Sequence, residues 1–405
     1  MAINSKNKVP EFSIEQEQNE FAASTEREKI KGSKNLNVPP LRFPEFTDEW
    51  TKSTIGDCFE LYSGNTPSRL DKKNFSGEIN WITSGELKEH YIGETKEHIS
   101  EEVVKENNLK LIPVGTFVIA IYGLEAEGVR GTGSITMQKS TISQACMAFT
   151  PTSMITNEFL YSWYKKHGNA IGIKYAQGTK QQNLCYEIIE KFKIQYPSLK
   201  EQEKLNHFIS LLDERIATQS RIIDKLQSLM SGIAESLTTN TPNTKISDCL
   251  VCHSSSLQEN QIDLSGKYRV YGASGICGFT DQPEVTVDSI LIVKDGSGVG
   301  TVSYADGEYS VIGTSNYLTA KDGYLLRYLY YCLMCFNFTP YKTGMAIPHI
   351  YFKDYGKAKI YCPPIEEQAR IATAISKIES KIETEQSILQ QYTIQKRHLF
   401  QQMFI

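Results

Sequence analysis

The chain has 405 residues, 40% of them apolar and 22% charged, with a formal net charge of -4. That length allows two or three domains with cores of their own. No apolar run approaches the roughly 18 residues that a bilayer span needs, and the slightly acidic balance excludes a protein that binds phosphate over its whole surface. Nine cysteines, an odd number scattered without an export signal, predict a reducing cytoplasm rather than a disulfide framework.

Residues 1–40 form a polar tail of mixed charge, ending in the proline-rich lead-in around Pro39, Pro40 and Pro44. A first module, 41–196, reads as mostly β. Its strands are expected over Trp50 to Tyr62, Ile79 to Thr83, Leu109 to Tyr122 and Ala145 to Phe149, with turns at Ser63 to Pro67 and Asn74 to Gly77. A helix follows over Asn157 to Lys166, with Phe159, Leu160, Trp163 and Tyr164 on one face and Gly168 as its stop. A polar loop led by Gly178 and a strand at Lys193 to Tyr196 then enter a long helix, 197–240. The second module, 241–361, opens as the first did, Ile246-Ser247-Asp248-Cys249-Leu250 echoing Ile55-Gly56-Asp57-Cys58-Phe59. Strands are expected at Tyr268 to Tyr271, Ser289 to Lys294 and Thr301 to Tyr304, then a helix over Tyr324 to Phe336, and a second long helix closes the chain over 362–405.

The long helices carry one heptad pattern. Leu205, Ile209, Leu212, Ile216, Ile223 and Leu226 continue to Met230, Ile233 and Leu237, broken only at Gln219. A 3.5-residue apolar repeat held over several heptads needs a partner helix. A shift of 166 residues supplies it, laying Pro363 on Pro197, Glu367-Gln368 on Glu201-Gln202, and Ile371, Ile375, Ile378, Ile382 and Leu389 on the first seam, with Glu385 on the break. The fold class is therefore α+β: two tandem modules, each followed by a long helix, the helices packing as an antiparallel coiled coil. In such a pair Gln219 and Glu385 should be neighbours. The module interiors, roughly 60–150 and 255–320, show no comparable alignment, which suggests one task performed twice on different ligands.

Asp295-Gly296-Ser297-Gly298-Val299-Gly300 after an apolar strand resembles the glycine loop of adenosylmethionine-dependent methyltransferases, and a self-contained DNA methyltransferase is the alternative reading. The strand-like Thr301 to Tyr304 favour a hairpin turn instead, and Asn337 to Tyr341 are only a loose echo of N-P-P-Y. Cys249-Leu250-Val251-Cys252-His253 and Cys332-Leu333-Met334-Cys335 have haem or zinc spacing, but they fall in a strand start and an apolar helix where cysteine packs as a small hydrophobe, so no metal is expected. No P-loop, H-E-x-x-H or nucleophile elbow occurs, and no catalytic residue is assigned. Candidate nucleic-acid contacts are Arg69, Lys72, Lys73, Arg130, Lys139, Lys180, Gln181, Gln182 and Asn183 in the first module. In the second they are Lys294, Ser297, Lys342 and His349. Cations bind phosphate, while Arg, Gln and Asn can pair with base edges.

With Leu41-Arg42-Phe43-Pro44-Glu45-Phe46, Tyr271-Gly272-Ala273-Ser274-Gly275-Ile276 and the twin helix starts Pro197-Ser198-Leu199-Lys200-Glu201-Gln202 and Pro363-Pro364-Ile365-Glu366-Glu367-Gln368, the chain from Leu41 onward resembles the specificity subunits of type I restriction-modification systems. The resemblance implies a non-catalytic bacterial protein whose two target recognition domains each read one half of a bipartite sequence in double-stranded DNA. It implies helices that act as spacer and docking rod, and a helix from Glu201 to Leu237 would span roughly 55 Å. It implies two modification subunits bringing adenosylmethionine and restriction subunits bringing ATP and Mg, with no cofactor held by this chain.

Overall fold

The two halves of the repeat fold on one plan, seen in a computed structural model that describes residues 37–405 except Thr179, Met345 and Ala346. The predicted tail, apart from residues 37–40, lies outside the described residues. The described chain divides into a first unit, 37–218 with 389–405, and a second, 219–388, so each holds part of both long helices.

In the first unit the strands are β1 (Thr51–Thr54), β2 (Phe59–Ser63), β3 (Ile79–Ile82), β4 (Tyr91–Ile92) and β5 (His98–Ile99), then β6 (Phe117–Ala120), β7 (Gly133–Thr136), β8 (Ser140–Ile142), β9 (Cys146–Pro151) and β10 (Lys193–Tyr196). They form sheets ordered β2-β9-β6-β7-β4, β5-β3-β8 and β1-β10. The expected single strand over Trp50 to Tyr62 is interrupted. Thr54 and Asp57 form a reciprocal capping box that winds Ile55–Cys58 into one helical turn and buries Ile55 and Cys58. The run from Leu109 is likewise shortened to β6, because Pro113 lacks an N–H and Gly115 sits at a φ of 79°.

All four residues of β6 are buried, and the helix α1 (Asn157–Tyr175) lays Phe159, Leu160, Trp163 and Tyr164 into the same core. Thr156 caps it, its hydroxyl accepting from the Phe159 amide at 3.2 Å. Gly168 does not stop this helix. A Cβ there would lie 2.8 Å from the Tyr164 ring, and one at Gly172 would lie 2.5 Å from Arg130 Cγ, so both glycines make room for side chains within a helix that runs on to Tyr175.

The first long helix is α2 (Leu199–Thr238). The second unit continues with β11 (Thr244–Lys245), β12 (Leu250–Ser254), β13 (Tyr268–Gly272), β14 (Gly275–Thr280), β15 (Ser289–Val293), β16 (Val302–Ala305), β17 (Tyr309–Val311), β18 (Ser315–Ala320) and β19 (Lys359–Ile360), with α3 (Leu326–Cys335) and the second long helix α4 (Ile365–Met403). Its sheet orders, β12-β18-β15-β16, β14-β13-β17 and β11-β19, repeat those of the first unit apart from the added β4. Even the single parallel pairing inside the small sheet recurs, β13 with β17 as β3 with β8. The duplication therefore extends through interiors whose sequences do not align. Cys249 and Cys332 are buried in the second core, and among the described residues no group of three or more His, Cys, Asp or Glu side chains is placed to hold a metal ion.

The twin helix starts are structural staples. The buried Gln202 amide donates to Met154 O and Pro197 O, both at 2.9 Å, and accepts from the Thr156 amide at 2.9 Å. Gln368 donates to Pro363 O at 2.8 Å and accepts from the Leu325 amide at 3.0 Å. Each ties the first turn of a long helix to the start of its unit's shorter helix, satisfying backbone groups that would otherwise be orphaned. In the first unit Glu201 adds a two-pronged bond to Arg42, both distances 2.7 Å, and the lead-in is held further by Lys204 on Glu45 and by Phe43 edge-on to Phe208.

The helices meet within each unit. In the first, Lys396 pairs with Asp213 and Arg215 donates to the Tyr392 hydroxyl at 2.6 Å, so one segment descends as the other rises. In the second, Gln219 donates to Glu385 through both its main-chain and side-chain oxygens, so the two polar breaks are neighbours, and both are buried.

One group predicts an acid sensitivity. His167 packs against Trp163 in the first unit, its Nε2 buried without a partner, and burial together with Lys166 pushes the imidazole down to about 4. The unfolded chain would protonate it near 6.5. The depressed folded value means stability is present above that pH and is lost as pH falls toward 4, by about 3 kcal/mol. Denaturant titrations at pH 7 and 4.5 should show His167→Gln losing less stability on acidification than the wild type. Equal losses would contradict this.

Candidate nucleic-acid interface

Each unit builds the same backbone frame at the end of a buried strand. In the first, the loop led by Gly178 folds on itself, Gln177 and Asn183 exchanging main-chain bonds of 2.8 and 2.9 Å. It then joins the turn after β6: the Leu184 amide donates to Ile121 O at 2.8 Å, a turn amide, that of Leu124, donates to Gln182 O at 3.1 Å, and Tyr122 pairs with Asn183. In the second unit Thr343 and His349 exchange bonds of 2.9 and 2.8 Å, and the Ile350 amide donates to Lys294 O at 2.9 Å. The turn amide of Gly296 donates to Pro348 O at 2.9 Å, and Asp295 pairs with His349. Gly178 and Gly344, at φ 108° and 88°, make the loops possible.

The turns themselves are hairpins. Residues 294–301 join β15 to β16, which pair antiparallel, and no helix opens after the glycines. The backbone that a methyltransferase loop would need at a helix N-terminus is absent here, which removes the structural basis for the Asp295 cofactor reading.

On this shared frame the side chains differ. Tyr122, Gln182 and Asn183 occupy one; Asp295, Pro348 and His349 occupy the other. In the first unit Arg130 crosses Gly172 and donates to Gln182 Oε1 at 2.7 Å, and the Glu125 carboxylate, held below its usual range by the Gln182 amide, accepts from that amide at 2.8 Å. Arg130 thus orients Gln182, while Lys180 and Gln181 stay exposed at the loop tip. In the second unit Lys294 and His349 are half-buried on the frame, and Ser297 and Lys342 are exposed beside it.

The remaining candidates stand elsewhere in the first unit. Arg69 forks onto Glu97 at 2.9 and 3.0 Å and lies over the Phe75 and Trp81 rings, which commits it to the small sheet. Lys72 and Lys73 are exposed on the turn Lys72–Phe75, and Lys139 is exposed before β8. Among the described residues no hydrogen bond or ion pair links these four to the Arg130 and Gln182 group. Tyr122 and Asp295 were not singled out from the sequence. The signal that would have found them is a positive-φ glycine one residue further on, Gly123 and Gly296, directly after a buried strand.

A family model described as the type I restriction modification DNA specificity domain matches residues 47–228 and 250–393, one stretch for each repeat. The chain belongs to that family. A type I restriction enzyme specificity subunit of Methanocaldococcus jannaschii, MjaIX, is 28% identical over 185 residues, 44% of this chain and 42% of the relative. An Escherichia coli type I specificity subunit is 26% identical over 201 residues, 49% and 45% of the two chains. The chain thus spans less than half the length of these curated relatives. The solved type I restriction-modification S subunit of M. genitalium shares the fold, with a TM-score of 0.58 at 17% identity, over 91% of this chain and 99% of that one. Both stretches that match the specificity-domain family contain a complete frame and the start of a long helix.

Proposed function

We propose that this chain is the DNA sequence-specificity subunit of a type I restriction-modification complex. Each unit reads one half of a bipartite asymmetric target in double-stranded DNA, and the chain itself performs no chemistry. The observation that carries the reading is the repeated frame: one set of main-chain bonds holds two different sets of side chains, which is the design needed to read two different sequences with one scaffold.

The long helices pack as an antiparallel coiled coil whose seam is Leu205, Ile209, Leu212, Ile216, Ile223 and Leu226 against Ile371, Ile375, Ile378, Ile382 and Leu389. In support, all of these are buried or half-buried, and the polar pair Gln219 and Glu385 fixes register at some cost in stability. The coil sets the spacer between half-sites and docks two modification subunits, with restriction subunits completing the assembly. Adenosylmethionine, ATP and Mg belong to those partners. A cytoplasmic setting suits nine free thiols and the absence, among the described residues, of any helix long and apolar enough to cross a membrane.

The test is binding to randomised duplex DNA by the chain alone and by its complex with modification subunits, alongside adenosylmethionine binding by the chain alone. The expected result is sequence selection by the complex and no cofactor uptake by the isolated chain. Stoichiometric adenosylmethionine uptake by the isolated chain would overturn the proposal.

A further inference from the structure

Asp295 and His349 face each other across the single bridge that ties the glycine turn to the loop in the second unit. The His349 ring places Nδ1 at 3.2 Å from Ile347 O, so the neutral ring protonated there carries its free lone pair on Nε2. The half-buried Asp295 carboxylate makes no hydrogen bond or ion pair with any described residue. Two acceptors thus share the frame with no protein donor assigned to either. An ionised carboxylate left half-buried needs a donor, and burying it against DNA without one would cost more than leaving it in water.

Phosphate oxygens cannot supply that donor, and they would repel the charge. The guanine edge in the major groove offers only the acceptors O6 and N7, and thymine offers O4 and a methyl group. The exocyclic amino groups of cytosine N4 and adenine N6 are the donors that project into that groove, and Asp accepting from cytosine N4 is a recognised pairing. Lys294 and Lys342, each adjacent in sequence to a frame residue, supply the positive charge that lets an acidic reader approach a polyanion.

We propose that Asp295 and His349 are specificity-determining residues that select a base presenting an exocyclic amino donor in the half-site read by the second unit. This rests on the DNA-recognition reading above. Tyr122 and Asn183, at the equivalent places in the first unit, each carry both a donor and an acceptor and so impose a different choice on the other half-site.

The experiment is selection of duplexes from a library randomised over the target by the full chain in complex with its modification subunits, wild type against variants. Asp295→Ala should weaken the preference for cytosine or adenine at one base pair of one half-site by roughly tenfold or more. Asp295→Lys, which exchanges an acceptor for a donor, should move that position toward guanine. Asp295→Asn separates the two amino donors, because asparagine pairs bidentately with adenine: a retained preference indicates adenine, and a shift toward adenine indicates that cytosine was read. His349→Gln should weaken the same position and no other. The unaltered half-site reports that each variant is folded. Variants of Asp295 to Ala and Lys that keep the wild-type preference at every position would overturn the assignment while leaving the specificity-subunit reading intact. A wild-type complex without any sequence preference would instead overturn the reading beneath it.

Discussion

Gly178→Ala should abolish selection of one half-site and Gly344→Ala selection of the other. A Cβ at Gly178 would lie 2.0 Å from Gln181 O, and one at Gly344 would lie 2.4 Å from Ile347 O, both on backbone held at positive φ. The obstacle is main chain, so the loop itself must move, and it carries the carbonyl that accepts from Leu124 in one unit and from Gly296 in the other. Strain of this kind costs about 1–3 kcal/mol, and the displaced loop should lower selectivity for its own half-site by roughly tenfold or more. Library selection with the assembled complex measures both halves at once, so each variant serves as the other's control. Retention of both preferences by both variants would show that these loops do not read DNA.

Arg42→Ala should destabilise the first unit by about 3–5 kcal/mol, the cost of leaving one member of a buried ion pair uncompensated. Glu201 is 1% exposed and takes both prongs of the guanidinium, with only the Trp50 ring N–H at 3.4 Å left to it once Arg42 is gone. The same pair raises the Arg42 pKa, chiefly through the hydrogen bond to Glu201. Arg42→Lys should recover only part of the loss, since an ammonium cannot reproduce the fork. Denaturant unfolding of the three proteins tests this. A loss under about 1 kcal/mol for the alanine variant would mean that water replaces the guanidinium.

The repeat was legible in the sequence where function of the residue in the fold demands identity. Gln202 and Gln368 each satisfy specific backbone groups, and no other side chain of that length both donates and accepts, so the helix starts align. The strands inside the modules demand only burial, which Phe117-Val118-Ile119-Ala120 and Ser289-Ile290-Leu291-Ile292-Val293 meet with different residues, so a common topology left no alignment behind. Glycine was ambiguous. Gly168 suggested a helix end because that is where glycine usually falls, yet its service here is to the Tyr164 ring, a tertiary demand invisible along the chain.

The candidate site was legible in part for a similar reason. Searching for cations and amides found Arg130, Gln182 and Asn183, which the fold gathers, and also Arg69, whose fork is already taken by Glu97. That search could not find Asp295, because a lone carboxylate beside a glycine turn has no meaning until the frame that holds it is known. Nor could it equate Tyr122 with Asp295, since the turns are offset differently from the helices that reveal the repeat.

The most direct measurement is the methylation pattern laid down on DNA by the complex carrying a chimera, in which residues 41–196 are exchanged for the matching part of another specificity subunit. The account predicts that one half of the modified sequence changes to that of the donor while the other half persists unaltered. A pattern in which both halves change together, or in which neither changes, would contradict it.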